Sequence, residues 1–120
     1  ERLAGLTDPA KALVVAFAAT GLRRPILFLV DSNPRAERLL EPLRYFVHAL
    51  GGAPAQVVAL PALDVLPGQH LSPHPEILET RAVSLSRFAA GQADLLVAPV
   101  ASALMRLRDA ASYAVLTRTL

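Results

Sequence analysis

The stretch Ile26–Pro34, ILFLVDSNP, decides the fold class of this chain. It begins with five consecutive apolar residues, a run typical of a strand that is buried on both faces of a parallel sheet. The dipeptide Asn33-Pro34 then indicates the start of a helix, because proline is tolerated in the first helical turn. We therefore predict a buried strand over Ile26–Val30 with a helix directly after it.

The same alternation of strand and helix recurs along the chain. Short apolar runs at Val57–Leu60 and Leu95–Ala98 predict two further buried strands. Helical periodicity and terminal signals predict four helices, over Pro9–Leu22, Asn33–Leu50, Pro75–Ala90 and Ala101–Arg108. Strands alternating with helices of this length imply parallel strands joined by right-handed crossovers. The predicted fold class is α/β, with a mostly parallel sheet and helices on both faces.

Individual residues refine these helices. In the first helix we place Asp8 as N-cap, Pro9 at the first helical position and Gly21 at the end. Pro42 lies inside the second helix and should kink it by removing one backbone hydrogen bond. In the third helix the side chains predicted to face the core are Ile77, Leu78, Ala82, Leu85 and Phe88.

Arg81 borders that apolar side of the third helix. A buried charge without a partner is costly. We therefore expect Arg81 to be at least half covered and hydrogen-bonded to a carboxylate or to carbonyls at a strand end. The alternative is a side chain whose stem covers apolar surface while its charged end stays in water.

Composition limits the class of protein. The 120 residues allow one compact domain, and with 53% apolar but only 5% aromatic residues its core must consist of Leu, Val and Ala. No apolar run approaches the roughly 18 residues of a membrane span. The lack of cysteine excludes disulfides and thiolate metal sites and is typical of a cytoplasmic protein. Because the chain begins with Glu1 and not with methionine, we expect it to be part of a longer protein.

The charges do not form a strongly basic surface. Twelve basic and ten acidic residues leave a net charge of +2, and they are dispersed along the chain. We therefore expect no more than ordinary non-specific DNA affinity, about 10⁻⁴ to 10⁻⁶ M.

The segment Gly5–Ala12, GLTDPAKA, has the spacing of a phosphate-binding loop, G-x-x-x-x-G-K-[ST], ahead of a helix. Ala10 stands at the second glycine, Ala12 stands where a hydroxyl would ligate Mg²⁺, and Pro9 has no N–H to offer a phosphate. Only the first glycine and Lys11 remain, a pattern that is frequent by chance. The motif alone therefore favours an ordinary helix start over an eroded phosphate loop. In either case we predict that the chain binds no nucleotide here and has no catalytic residue.

Other candidates for chemistry are weak. His70 and His74 have the spacing of metal ligands, but Pro73 and Pro75 prevent the helix that would bring them to one face, and no third ligand is near. We predict no metal site. Asp31 and Asp64 follow predicted strands, where single acids are more often turn or cap residues.

Three segments together resemble one family. Leu60–Pro67 (LPALDVLP), then Leu71–Ile77 (LSPHPEI) and Arg81, resemble a hallmark of the transcription-repair coupling factors (Mfd proteins). The family pattern is P-x-W-E-x-L-P-Y, followed by S-P-H-x-[ED]-I and an arginine. Leu96–Leu107 (LVAPVASALMRL) is similar to the family's V-x-P-V-x-x-L-M-Q-R-L, and Gly5–Ala12 matches its eroded form of the UvrB phosphate loop. The matches keep their order over nearly the whole chain.

The chain departs from the family pattern at three positions. Leu63 stands in place of Trp, Asp64 in place of Glu and Gly68 in place of Tyr. These differences put in doubt any contact made by that aromatic pair.

The resemblance implies a P-loop-NTPase-like fold, that of UvrB domain 1A, over residues 1–116, with a stub at 117–120 leading toward the next domain. It also implies a bacterial DNA-repair protein. The full-length factor displaces stalled RNA polymerase from damaged DNA with an ATP- and Mg²⁺-dependent translocase, and it recruits UvrA for nucleotide excision repair. This chain would be a non-catalytic scaffold in that protein, in contact with the remainder of the UvrB-like module and with no membrane partner. Residues that contact UvrA, polymerase or nucleotide would lie outside it.

Two alternatives remain from the residues alone. One is a fragment of UvrB itself or of a superfamily 2 helicase, against which Ala10, Ala12 and the lack of a DNA-clamping hairpin argue. The other is an unrelated nucleotide-binding α/β module. In the coupling-factor interpretation, the loop Pro61–Pro75 packs against neighbouring domains, and Leu63, Val65 and Leu71 are therefore expected to be partly exposed here. A rigid connector without a partner is the alternative for this loop.

Overall fold

The computed structural model describes residues 2–65, 68–109 and 111–113. Three strands form one parallel sheet in the order β1-β3-β2: β1 (Ile26–Val30), β2 (Val57–Ala59) and β3 (Leu95–Pro99). The α-helices assigned in this part of the chain are α1 (Asp8–Leu22), α2 (Asn33–Ala49), α3 (Pro75–Ala89) and α4 (Val100–Ala103). The predicted α/β class with parallel strands is confirmed. The predicted stub at 117–120 lies outside the described residues.

The last strand occupies the middle of the sheet. Ile26 of β1 and Val57 of β2 both align with Leu95 of β3. The chain thus passes from β1 across to β2 and then returns to the centre. Two crossovers of the same hand place their helices on opposite faces of such a sheet.

The core is accordingly divided between the two faces. On one face α1 and α2 cover the inward side chains of all three strands, in a cluster of Ala12, Ala16, Val30, Ala36, Leu39, Leu43, Val47, Val57, Leu95 and Val97. On the other face α3 covers β2 and β3, in a smaller cluster of Val58, Leu60, Leu85, Ala93, Leu96 and Ala98.

The prediction that the first strand is buried on both faces was wrong. Leu27 and Leu29 are 52% and 48% exposed, whereas Val30 on the opposite face is buried. The reason is the position of β1, because it lies beside β3 at the end of the described sheet, where the described part of α3 does not cover it.

Two helices also differ from their predicted form. In α3, Leu78 is 46% exposed whereas Ser84 and Ser86 are buried. Ser86 lies beneath a later segment of the chain, since its hydroxyl donates to the carbonyl of Tyr113 at 3.0 Å. The predicted helix Ala101–Arg108 is also too long, because α4 ends at Ala103 and the following residues extend across α3.

The ends of α1 were misplaced by one or two residues. Thr7, and not Asp8, is the N-cap, so that Asp8 is the first helical residue. The helix continues through Gly21, and Arg23 takes the left-handed conformation that closes it (φ 50°). α2 begins at Asn33 as predicted and continues through Pro42, with Ser32 as its N-cap.

Candidate functional site

The carboxyl ends of the three strands bring most of the candidate residues to one edge of the sheet. Asp31 follows β1, Pro61 follows β2 by two residues, and Ser102 lies in α4 directly after β3. The N-terminus of α1 is at the same edge, because Asp8 in its first turn forms an ion pair with Arg35 of α2. Ligands of open α/β sheets bind outside the carboxyl ends of the strands. We therefore take this edge as the candidate site.

Two backbone N–H groups of the segment Gly5–Ala12 are engaged by Thr7. The N–H of Ala10 donates to the Thr7 hydroxyl at 3.4 Å, and the N–H of Lys11 donates to the Thr7 carbonyl at 2.9 Å. Pro9 has no N–H. Gly5 retains the left-handed backbone (φ 77°) at the start of the loop. A phosphate would thus meet few free N–H donors in the first turn of α1.

Asp8 places a negative charge in that same turn. Its carboxylate lies 2.9 Å from Nη2 of Arg35, whose Nη1 lies 3.4 Å from the carboxylate of Asp31. The negative charge of Asp8, followed by that of Asp31, raises the pKa of the Arg35 guanidinium. An acidic residue in the first turn already complements the positive end of the helix dipole. The local charge therefore disfavours a phosphate.

Asp31 is held as an anion. The Ser32 hydroxyl donates to its carboxylate at 3.1 Å, and this bond, followed by the charge of Arg35, lowers the pKa of Asp31. A group with a lowered pKa is a weak general base near neutral pH. The role of Asp31 is thus structural, because it pairs with Arg35 and bonds Ser32, the N-cap of α2.

Ala12, at the position where a phosphate-binding loop would have a hydroxyl, faces the core. Ala12 is fully buried in the cluster between α1, α2 and the sheet. A methyl group there contributes packing and offers no ligand to a metal. Neighbouring Lys11 is partly buried.

Arg81 connects two strand ends. Its Nη1 donates to the carbonyl of Pro61 at 2.6 Å and to the hydroxyl of Ser102 at 2.5 Å, and the residue is only 7% exposed. Burial lowers the pKa of its guanidinium, an effect that the nearby Tyr113 opposes. The prediction of a covered arginine bonded to a strand-end carbonyl is confirmed.

A second connection was missed at the level of sequence. The Asn33 side chain donates to the carbonyl of Ala62 at 3.1 Å and accepts from the N–H of Ala62 at 2.9 Å. It thereby attaches the start of α2 to the segment after β2. Its position directly after a predicted strand was the available signal, but the Asn-Pro pair is equally common where asparagine only starts a helix.

The two histidines are not brought together as ligands. His74 is the N-cap of α3, where its Nδ1 accepts from the N–H of Glu76 at 3.3 Å. The N–H of His74 donates to the carboxylate of Asp64 at 3.1 Å, and His70 is exposed. Across residues 2–65, 68–109 and 111–113, no group of three or more His, Asp or Glu side chains could hold a metal ion.

Comparison of the sequence with models of known protein families and with characterised proteins finds no match. In the part of the chain that the structure describes, no helix is long and apolar enough to cross a membrane.

Proposed function

We propose that this chain is a non-catalytic scaffold, the first part of the UvrB-like domain of a transcription-repair coupling factor. In such a factor an ATP-driven translocase outside this chain displaces stalled RNA polymerase from damaged DNA, and a neighbouring domain recruits UvrA. The scaffold gives those domains a fixed surface and uses no nucleotide of its own.

The observation that carries the non-catalytic part of the proposal is the first turn of α1. Two of its N–H groups donate to Thr7, a third is missing at Pro9, and the Asp8 carboxylate is paired with Arg35. A working phosphate loop needs the opposite arrangement, with free N–H donors and no anion. The family resemblance of residues 60–81 and 96–107 carries the identity of the longer protein.

The segment after β2 supports the scaffold part. Its first residues are fixed by Asn33 and Arg81, and its end is fixed by the bond from His74 to Asp64. Leu71 on this segment is 68% exposed. Leu63 and Val65 have intermediate exposure, so the prediction that the three side chains are partly exposed is confirmed. A fixed segment with exposed apolar side chains suits contact with another domain.

Calorimetric titration of the chain with Mg-ATP tests the absence of nucleotide binding. We expect no binding heat at millimolar nucleotide, for the wild type and for Lys11→Ala alike. A low micromolar dissociation constant that is lost in Lys11→Ala would overturn the proposal and favour a helicase-type module.

The scaffold role is tested in the full-length protein. Leu71→Glu should reduce UvrA recruitment or domain packing, while the melting temperature of the isolated chain stays unchanged. Leu104→Glu is the matched control, since Leu104 is also an exposed leucine, 80% accessible, outside this segment. Equal recruitment by wild type and Leu71→Glu would contradict a docking role for the segment.

A further inference from the structure

A cavity lies between α3 and the segment that follows α4, and it adjoins the candidate site at Arg81. Its volume is about 270 Å³, and Leu78, Ala82 and Leu85 of α3 form one wall. The opposite wall consists of residues 105–108, which extend over the helix, and Leu63 and Tyr113 also line it. Small-molecule and cofactor pockets usually occupy about 300–1,000 Å³. The cavity therefore fits one or two side chains better than a nucleotide.

Three arginines line this largely apolar cavity. Arg106 and Arg108 come from the crossing segment, and Arg81 comes from α3. Among the described residues, none of the three forms an ion pair with a carboxylate. No described residue of the lining is Asp or Glu. The lining thus combines an apolar surface with an uncompensated positive charge.

Arg81 gives the strongest argument for an anionic partner, because it is only 7% exposed. Its Nη1 is bonded to neutral oxygens, those of Pro61 and Ser102. A guanidinium has five N–H donors, and a carboxylate is its best-matched partner. A buried cation of this kind is costly unless an anion compensates it.

Within the described residues, no carboxylate lines the cavity or forms an ion pair with these arginines. The carboxylate nearest in sequence, that of Asp109, accepts from the N–H and the hydroxyl of Ser112 at 3.0 and 2.5 Å. Among the residues that the structure does not describe, Glu1 is the one acidic residue.

We infer that the cavity between α3 and residues 105–108 is a docking site for a partner polypeptide segment that carries glutamate or aspartate beside leucine. The carboxylates pair with Arg106 and Arg108 at the rim and approach Arg81, while the apolar side chain contacts Leu78 and Leu85. This inference stands independently of the proposed function, because it rests on the cavity alone. It names an acidic protein partner.

Fluorescence anisotropy with two labelled hexapeptides, LEELLE and its neutral counterpart LQQLLQ, tests the site. We expect the acidic peptide to bind at least about tenfold more tightly than the neutral one. Arg106→Gln combined with Arg108→Gln should remove most of that difference. Arg38→Gln, at an exposed arginine of α2 on the other face of the sheet, is the matched control and should leave it unchanged.

The two rim arginines are exposed, so their replacement should not disturb folding. Arg81→Lys adds a test inside the cavity, with a thermal melt to verify the fold. It should weaken the acidic peptide because lysine lacks the planar fork of donors.

Three results would overturn the inference. One is equal binding of the two peptides, and another is an equal loss of affinity in Arg38→Gln. The third is tighter binding of duplex DNA than of the acidic peptide, with that DNA affinity lost when Arg106→Gln and Arg108→Gln are combined.

Discussion

β1 and β3 are adjacent strands of similar apolar composition, yet they differ in burial. Every residue of β3 is buried, whereas β1 alternates between covered and exposed side chains. Leu27 and Leu96 are aligned in register on the same face of the sheet, with exposures of 52% and 5%. Identical side chains in neighbouring positions thus have different surroundings. Burial is set by which strand α3 covers and not by the hydrophobicity of the strand.

The largest expected loss of stability is at the central strand, β3. Leu96→Ala removes a buried side chain from the cluster beneath α3 and should lower the free energy of unfolding by about 2–5 kcal/mol. Urea denaturation of the purified chain measures it. A loss below about 1 kcal/mol would mean that the α3 face collapses around the deletion, and the contrast between the strands would be weaker than the exposures suggest.

The next effect concerns the connection between the ends of β2 and β3. Arg81→Met keeps much of the apolar stem but removes the donor to the Ser102 hydroxyl and to the Pro61 carbonyl, which keeps only its 3.2 Å bond from Ser102. We expect a loss of about 1.5–3 kcal/mol, the usual value of hydrogen bonds to a charged group. Arg38→Met, at an exposed position, should change stability by less than about 0.5 kcal/mol. Equal changes in the two variants would show that Arg81 is not a structural connection.

The corresponding connection near β1 should be weaker. Asn33→Ala removes two neutral, partly buried hydrogen bonds to Ala62, and we expect a loss of about 1–2 kcal/mol. Hydrogen exchange at the Ala62 N–H provides a local measurement, because this donor loses its acceptor. If exchange at Ala62 stays as slow as in the wild type, the bond to Asn33 is not what protects that N–H.

The smallest expected loss of stability is at Leu27, an exposed leucine of β1. Leu27→Ala should cost less than about 1 kcal/mol, because half of the side chain is already in water. Together with Leu96→Ala, this variant gives the loss of unfolding free energy for the same substitution at two aligned positions. Equal losses for the two variants would show that Leu27 is covered in solution.

The sequence predicted the elements of the fold well because their signals are local. The apolar runs at 26–30 and 95–98 predicted two strands almost to the residue, and Asn33-Pro34 predicted the start of α2. The exposure of Leu27 and Leu29 was not predictable, since ILFLV contains no sign that its strand lies at the edge of the described sheet. The burial of Ser84 and Ser86 was missed for the same reason, because it depends on which distant segments cover α3.

The candidate site was predictable in part. Ala10, Ala12 and Pro9 each lack a group that phosphate or Mg²⁺ binding requires, and the expected lack of nucleotide binding stays a prediction. The pair between Asp8 and Arg35 could not be inferred, since it joins residues that only the packing of α1 on α2 brings together. The shape of the arginine-lined cavity depends on where α4 ends, and the sequence predicted a longer helix there.

The central position of the last strand has a consequence for the order in which the chain can fold. β1 and β2 are each hydrogen-bonded to β3 and not to one another, so neither has a described sheet partner before β3 is synthesised. On the ribosome, α1, α2 and α3 emerge with both outer strands unpaired, and β3 then inserts between them. Pairing between strands so far apart in sequence is slow, because a long loop must close before any contact compensates for its entropy. The nascent chain therefore exposes two unpaired strands until residues 95–99 arrive, and during that interval it is most dependent on protection from aggregation.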